Sequence, residues 1–120
     1  MTVYFITRHT GARDWLHKMH PDLARNSQMI AHADRHFFRR LREGDIVIGV
    51  LPVYLIAKVC ETGARYFALT IPDMPPEKRG VELSASELET YGARLNEYFV
   101  LEGEALARLR DKLNGGGDDE

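Results

Sequence analysis

The sequence predicts an α/β domain, a mainly parallel sheet flanked by helices. Three observations carry this. First, the short apolar runs VYFIT at 3–7 and DIVIGVL at 45–51 lack the polar alternation of a strand with one wet face, so they read as strands buried on both sides. Second, other stretches place apolar residues at i, i+3, i+4 and i+7, the period of a helix with one buried face. Third, strand and helix alternate along the chain, which sets successive strands parallel and lays helices over both faces. At 120 residues the chain has the length of one domain with a real core, assigned to residues 1–113.

The elements follow in order. Val3–Thr7 is the first strand. Ala12, Trp15, Leu16 and Met19 then share one helical face, with Thr10 as the N-cap. His20-Pro21 ends that helix, because a residue before proline is pushed out of helical geometry. Residues 27–33 form a second strand, and Phe37–Leu41 a short helix. Asp45–Leu51 is the clearest buried strand. Pro52 suits the first turn of the next helix, on which Leu55, Ile56, Val59 and Cys60 share a face and which Gly63 stops. Arg65–Ile71 is a further strand. Three prolines between Pro72 and Pro76 break regular structure, so the segment to Gly80 is a loop. Ser84 and Glu87 have capping-box spacing and open a helix that Gly92 closes. Glu97–Leu101 is the last strand, and Ala105, Leu106, Leu109 and Leu113 line a final amphipathic helix. From Asn114 the tail, NGGGDDE, is glycine-rich and acidic, so residues 114–120 are expected to be disordered.

The composition, 44% hydrophobic and 28% charged, is that of a soluble globule. No apolar run reaches the roughly 20 residues of a membrane span, so no membrane partner is expected. The N-terminus lacks the pattern of a secretory signal, and the single Cys60 has no internal partner for a disulfide. A cytoplasmic location is therefore expected. A net charge of −2 argues against a general duplex-DNA partner. The charge is uneven, however. Residues 1–42 hold eight Lys/Arg against three acids, and the remainder eight against fifteen. A basic N-terminal third suits an anionic ligand.

Open α/β sheets bind ligands beyond the carboxyl ends of their strands. Arg8-His9-Thr10-Gly11 and Leu51-Pro52 are predicted to lie there, each leading into a helix N-terminus whose free N–H groups and partial positive charge favour an anion. Arg8 and His9 add charge-assisted donors; pairing of Arg8 with a carboxylate is the competing structural role. Lys78 and Arg79 stand in the 72–80 loop, where they can close over a negative ligand. His32 and His36 have the spacing of two metal ligands on one helix face, and His17 and His20 are similar. Neither pair has a third ligand or an intervening glutamate, so no metal and no cofactor are expected. Cys60 reads as a core thiol. Arg-His-Gly after a first strand is a motif of histidine phosphatases, but Thr10 interrupts it here. No histidine follows His36 to serve as the second one that chemistry needs.

The strings YFITRHTGARDWL, GDIVIGVLPVYLIAKVCETGARYFALTI and PPEKRGVELSASELETYGARL together resemble a family of small accessory proteins of type III CRISPR systems, the sixteenth of the Csx series. The resemblance spans about residues 3–100. Its most specific parts are Arg-His-x-Gly-Ala-x-x-Trp and Gly-Asp-x-Val-Ile-Gly-x-Leu-Pro. The family usually carries proline where this chain has Thr10, whose hydroxyl can cap the helix instead. The resemblance implies a Rossmann-like domain related to the CARF sensors of cyclic oligoadenylates, and a homodimer. It further implies a metal-independent ring nuclease that degrades cyclic tetra-adenylate to linear di-adenylate with a 2′,3′-cyclic phosphate, switching off CRISPR signalling.

In that chemistry the ribose 2′-hydroxyl attacks the neighbouring phosphorus and the 5′-oxygen leaves, so the protein's task is positioning and charge stabilisation. Arg8 and the N–H groups at Thr10-Gly11 are the candidates for stabilising charge, and His9 for moving a proton. Gly49, Leu51 and Pro52 belong to the ligand site, the last two lining adenine pockets, with Lys78 and Arg79 as a lid. Two alternatives stay open: a module that binds or sequesters cyclic oligoadenylate without cutting it, and a histidine-phosphatase-like phosphohydrolase.

Overall fold

A computed structural model describes residues 1–118, with side chains through Asn114. The chain runs β1 (Val3–Ile6), α1 (Thr10–Met19), α2 (Pro21–Arg25), β2 (Ser27–Ile30), α3 (Arg35–Arg40), β3 (Ile46–Gly49), α4 (Val53–Glu61), β4 (Arg65–Thr70), α5 (Ala85–Thr90), β5 (Arg94–Tyr98) and α6 (Gly103–Asp118). The five strands form one sheet in the order β2-β1-β3-β4-β5. β1 to β4 are mutually parallel, and β5 adds antiparallel to β4 at the edge. The α/β architecture with a mostly parallel, Rossmann-like sheet is as expected.

Alternating side chains of the central strands enter two cores. Val3, Phe5, Ile46 and Ile48 pack on one face with Trp15 and Leu16 of α1 and Leu88 of α5. Tyr4, Ile6, Val47 and Tyr66 pack on the other with Phe37 of α3 and Val59 of α4. Both faces are dry, which is why VYFI and IVIG show no polar alternation. Buried Asp45 fixes where the sheet begins: its Oδ1 accepts the Thr2 N–H and its Oδ2 the Arg42 N–H, each at 2.9 Å.

Several boundaries differ from expectation. The N-cap of α1 is His9, and Thr10 is already helical. The Thr7 hydroxyl, not a Thr10 hydroxyl, organises the entry by accepting the His9 N–H at 3.1 Å. His20-Pro21 does end α1, but Pro21 starts α2 at once, since a proline in the first turn gives up no bonded N–H. The proline loop contains one 3-10 turn, Pro76–Lys78. The last strand begins at Arg94, three residues before the expected Glu97–Leu101. Its Leu95 is half-buried against the core, while Phe99 is exposed. The capping box of α5 is formed in both directions, with Ser84 and Glu87 exchanging bonds of 3.1 Å. α6 extends from Gly103 to Asp118, overlapping the segment expected to be a disordered tail; residues 119 and 120 of that tail lie outside the described residues.

Candidate functional site

From β1 the chain moves to β2 on one side and then returns across to β3 on the other. Such a reversal leaves a crevice at the carboxyl ends of the strands. A cleft of about 520 Å³ opens there, within the size range of small-ligand sites. Thr7, Arg8 and His9 from the end of β1 line it, as do Ala31, His32 and Ala33 after β2 and Gly49, Val50 and Leu51 at the end of β3. The opposite wall is apolar: Leu69, Ile71, Met74, Leu83 and Leu88, contributed by β4, the proline loop and α5. Lys78 stands on that same side.

Local chemistry explains the shape of the loops. The Thr7 N–H donates to the Ile30 carbonyl at 2.9 Å, so the β1–β2 ladder continues one residue beyond the strand. Ile6 pairs with Gly49 across the β1–β3 ladder. A Cβ at Gly49 would sit 3.1 Å from the Ile6 carbonyl oxygen, so glycine lets the two strand ends stay close. Tyr66 then holds the turn that follows. Its buried hydroxyl donates to the Gly49 carbonyl at 2.7 Å and accepts the Leu51 N–H at 3.2 Å. Burial pushes the Tyr66 hydroxyl above its ordinary value of 10.0, partly offset by the Leu51 bond.

On its strand side the cleft carries one guanidinium and two imidazoles, from Arg8, His9 and His32. Arg8 is exposed and makes no ion pair or hydrogen bond among the described residues, so the carboxylate that would have given it a structural role is not there. His9 places Nδ1 3.5 Å from Glu82 Oε1 on an exposed rim. Lys78 pairs with Glu87 Oε2 at 3.1 Å, and that hydrogen bond raises its pKa above 10.5, keeping it cationic. Glu87 is held below 4.5, first by the Ser84 backbone N–H and then by Lys78.

The structure therefore brings together Arg8, His9, Gly49, Leu51 and Lys78. Thr10 and Gly11 line instead a smaller neighbouring recess shared with Asp14, Glu82 and Glu87. Gly11 has a packing reason: a Cβ there would meet the Leu83 carbonyl oxygen at 1.8 Å, so α1 docks directly on the 83–84 backbone. Pro52 caps α4 and Arg79 ends the 3-10 turn; both are exposed and outside the cleft lining. His32 precedes α3 while His36 lies on it, so the pair does not share a helix face. No group of three or more His, Cys, Asp or Glu able to hold a metal occurs among the described residues. No described helix is long and apolar enough to cross a membrane.

Two residues at or beside the cleft were not placed there by the sequence. Tyr66 carried a signal, because a tyrosine inside an apolar strand must find a partner for its hydroxyl. His32 carried none as a cleft residue, because its placement depends on strand register. A family model described as "Putative CRISPR-associated protein (Cas_VVA1548)" matches residues 4–101, a span that contains every residue of the cleft. Comparisons with curated proteins and with solved structures give no match.

Proposed function

We propose a ring nuclease activity for this chain, which belongs to the CRISPR-associated family that matches it. The substrate is cyclic tetra-adenylate, and the product is linear di-adenylate ending in a 2′,3′-cyclic phosphate, made without a metal ion. The observation that carries this is the division of the cleft. Arg8 and His9 offer charge on the strand side, and Leu69, Ile71, Met74 and Leu83 offer an apolar wall opposite. A nucleotide has the same division, with an anionic phosphodiester at one end and a flat, largely apolar base at the other.

The chemistry follows from that placement. Arg8, with no carboxylate to compete for it, holds the non-bridging phosphate oxygens and offsets the charge that grows on them. Lys78 adds a second positive charge, already held in place by Glu87. With Thr10 and Gly11 outside the cleft lining, charge stabilisation rests on these side chains rather than on the α1 backbone. The Glu82 carboxylate stands 3.5 Å from His9 Nδ1, leaving Nε2 to exchange a proton with the ribose. Leu51 and Val50 form the rim, held by Tyr66. A ring of four nucleotides has two-fold symmetry, which a homodimer would match by presenting each site twice. The exposed Leu106, Leu109 and Leu113 of α6 support a second copy as their cover.

Incubation of the purified chain with cyclic tetra-adenylate and excess chelator, followed by mass analysis, tests the reading. Conversion to di-adenylate with a cyclic phosphate is expected. Intact ring after prolonged incubation at high enzyme concentration overturns it, and tight binding without product would assign a sequestering module.

A further inference from the structure

We infer that His32 is the group that protonates the leaving 5′-oxygen, opposite His9, which takes the proton of the attacking 2′-hydroxyl; this rests on the ring-cleavage reading above. In an in-line displacement at phosphorus the entering and leaving oxygens lie on opposite sides, so one side chain cannot serve both. The cleft has a residue for each side. Ile6 and Ile30 are register partners in the parallel β1–β2 ladder, so Arg8 and His32 each lie two residues beyond, on chains that leave the sheet about 4.8 Å apart. His9 turns the other way, toward Glu82 on the segment that precedes α5. A phosphate held at Arg8 is thus flanked by an imidazole on each side.

The titratable side chains lining the cleft are Arg8, His9, His32 and Lys78. A guanidinium does not trade protons near neutrality, and Lys78 is tied to Glu87. The two histidines are the ones able both to give and to take a proton there. Their roles divide by surroundings. The Glu82 carboxylate stands 3.5 Å from His9 Nδ1, so Nε2 is the nitrogen left to act as base. His32 is exposed and forms no ion pair with a carboxylate among the described residues, so its ring is open to solvent and to the leaving oxygen. In the step, the 2′-hydroxyl proton goes to His9, the O2′–P bond forms and the P–O5′ bond breaks. The electron pair remaining on O5′ takes the His32 proton, and both histidines then return to their starting states through water.

The test uses the ordinary ring and a ring in which sulfur replaces the bridging 5′-oxygens, since a thiolate leaves without a proton. His32→Ala is expected to slow cleavage of the ordinary ring by about a hundredfold or more, to remove the alkaline limb of its rate profile, and to cut the sulfur ring at nearly the wild-type rate. His9→Ala should slow both rings. Because His32 is exposed, its thermal midpoint should match wild type. Wild-type rates on the ordinary ring, or equal slowing on both rings, overturn the assignment while leaving ring cleavage standing. A wild-type chain that cuts neither ring overturns the proposed function and this inference with it.

Discussion

Deleting a single oxygen, in Tyr66→Phe, links the core to the cleft. The phenol is buried at 1% exposure, and its hydroxyl bonds the Gly49 carbonyl and the Leu51 N–H on either side of Val50. Each neutral bond contributes about 0.5–1.5 kcal/mol net, so losing both costs about 1–3 kcal/mol. A 120-residue chain unfolds with an entropy of about 0.25 kcal/mol per kelvin, so the midpoint should fall by about 4–12 °C. The pH dependence has a definite sign. Burial raises the folded-state pKa above the ordinary 10.0, so this contribution is whole below pH 10.0 and is lost as pH rises through the folded value. The gap between wild type and variant should therefore narrow in alkaline solution. Thermal melts across pH, with ring-cleavage rates beside them, check the argument. A midpoint within about 1 °C of wild type would refute it, as would a cleavage rate untouched by loosening the Gly49–Leu51 turn.

Other substitutions separate structure from chemistry. Gly11→Ala should lower stability by about 1–3 kcal/mol, because the new Cβ must push α1 off the Leu83 carbonyl; a higher melting midpoint, as helix propensity alone would give, would contradict this. Arg8→Ala should weaken affinity and rate together by about 1.5–3 kcal/mol, with an unchanged melt because the side chain is exposed; kinetics and equilibrium binding read both. Glu87 is held below 4.5, so its stabilising bonds are present above pH 4.5 and are lost as pH falls through the folded value. Glu87→Gln should flatten the acid side of the stability curve measured by denaturant titration.

The sheet was legible because β1 and β3 are apolar on both faces, and the capping box because its spacing is local. The start of β5 was not: Arg94–Tyr98 is half polar, as an edge strand permits, and the apolar Phe99 beside it is exposed. The Arg8-His9 loop was legible as part of the cleft because it stands at the carboxyl end of a buried strand, where open α/β sheets leave their crevice. Gly11 is expected at the ligand from its position in the motif; the docking of α1 on Leu83 gives its missing Cβ a packing use that no local pattern records. His32 reaches the cleft through the register of two strands 24 positions apart, which no local pattern records.

The most direct measurement runs the reaction in ¹⁸O-water and weighs the first product. Attack by the ribose's own hydroxyl predicts di-adenylate ending in a 2′,3′-cyclic phosphate that carries no solvent oxygen, with chelator present or absent. A first product already labelled at its phosphate would mean that water is the nucleophile, and would contradict the account.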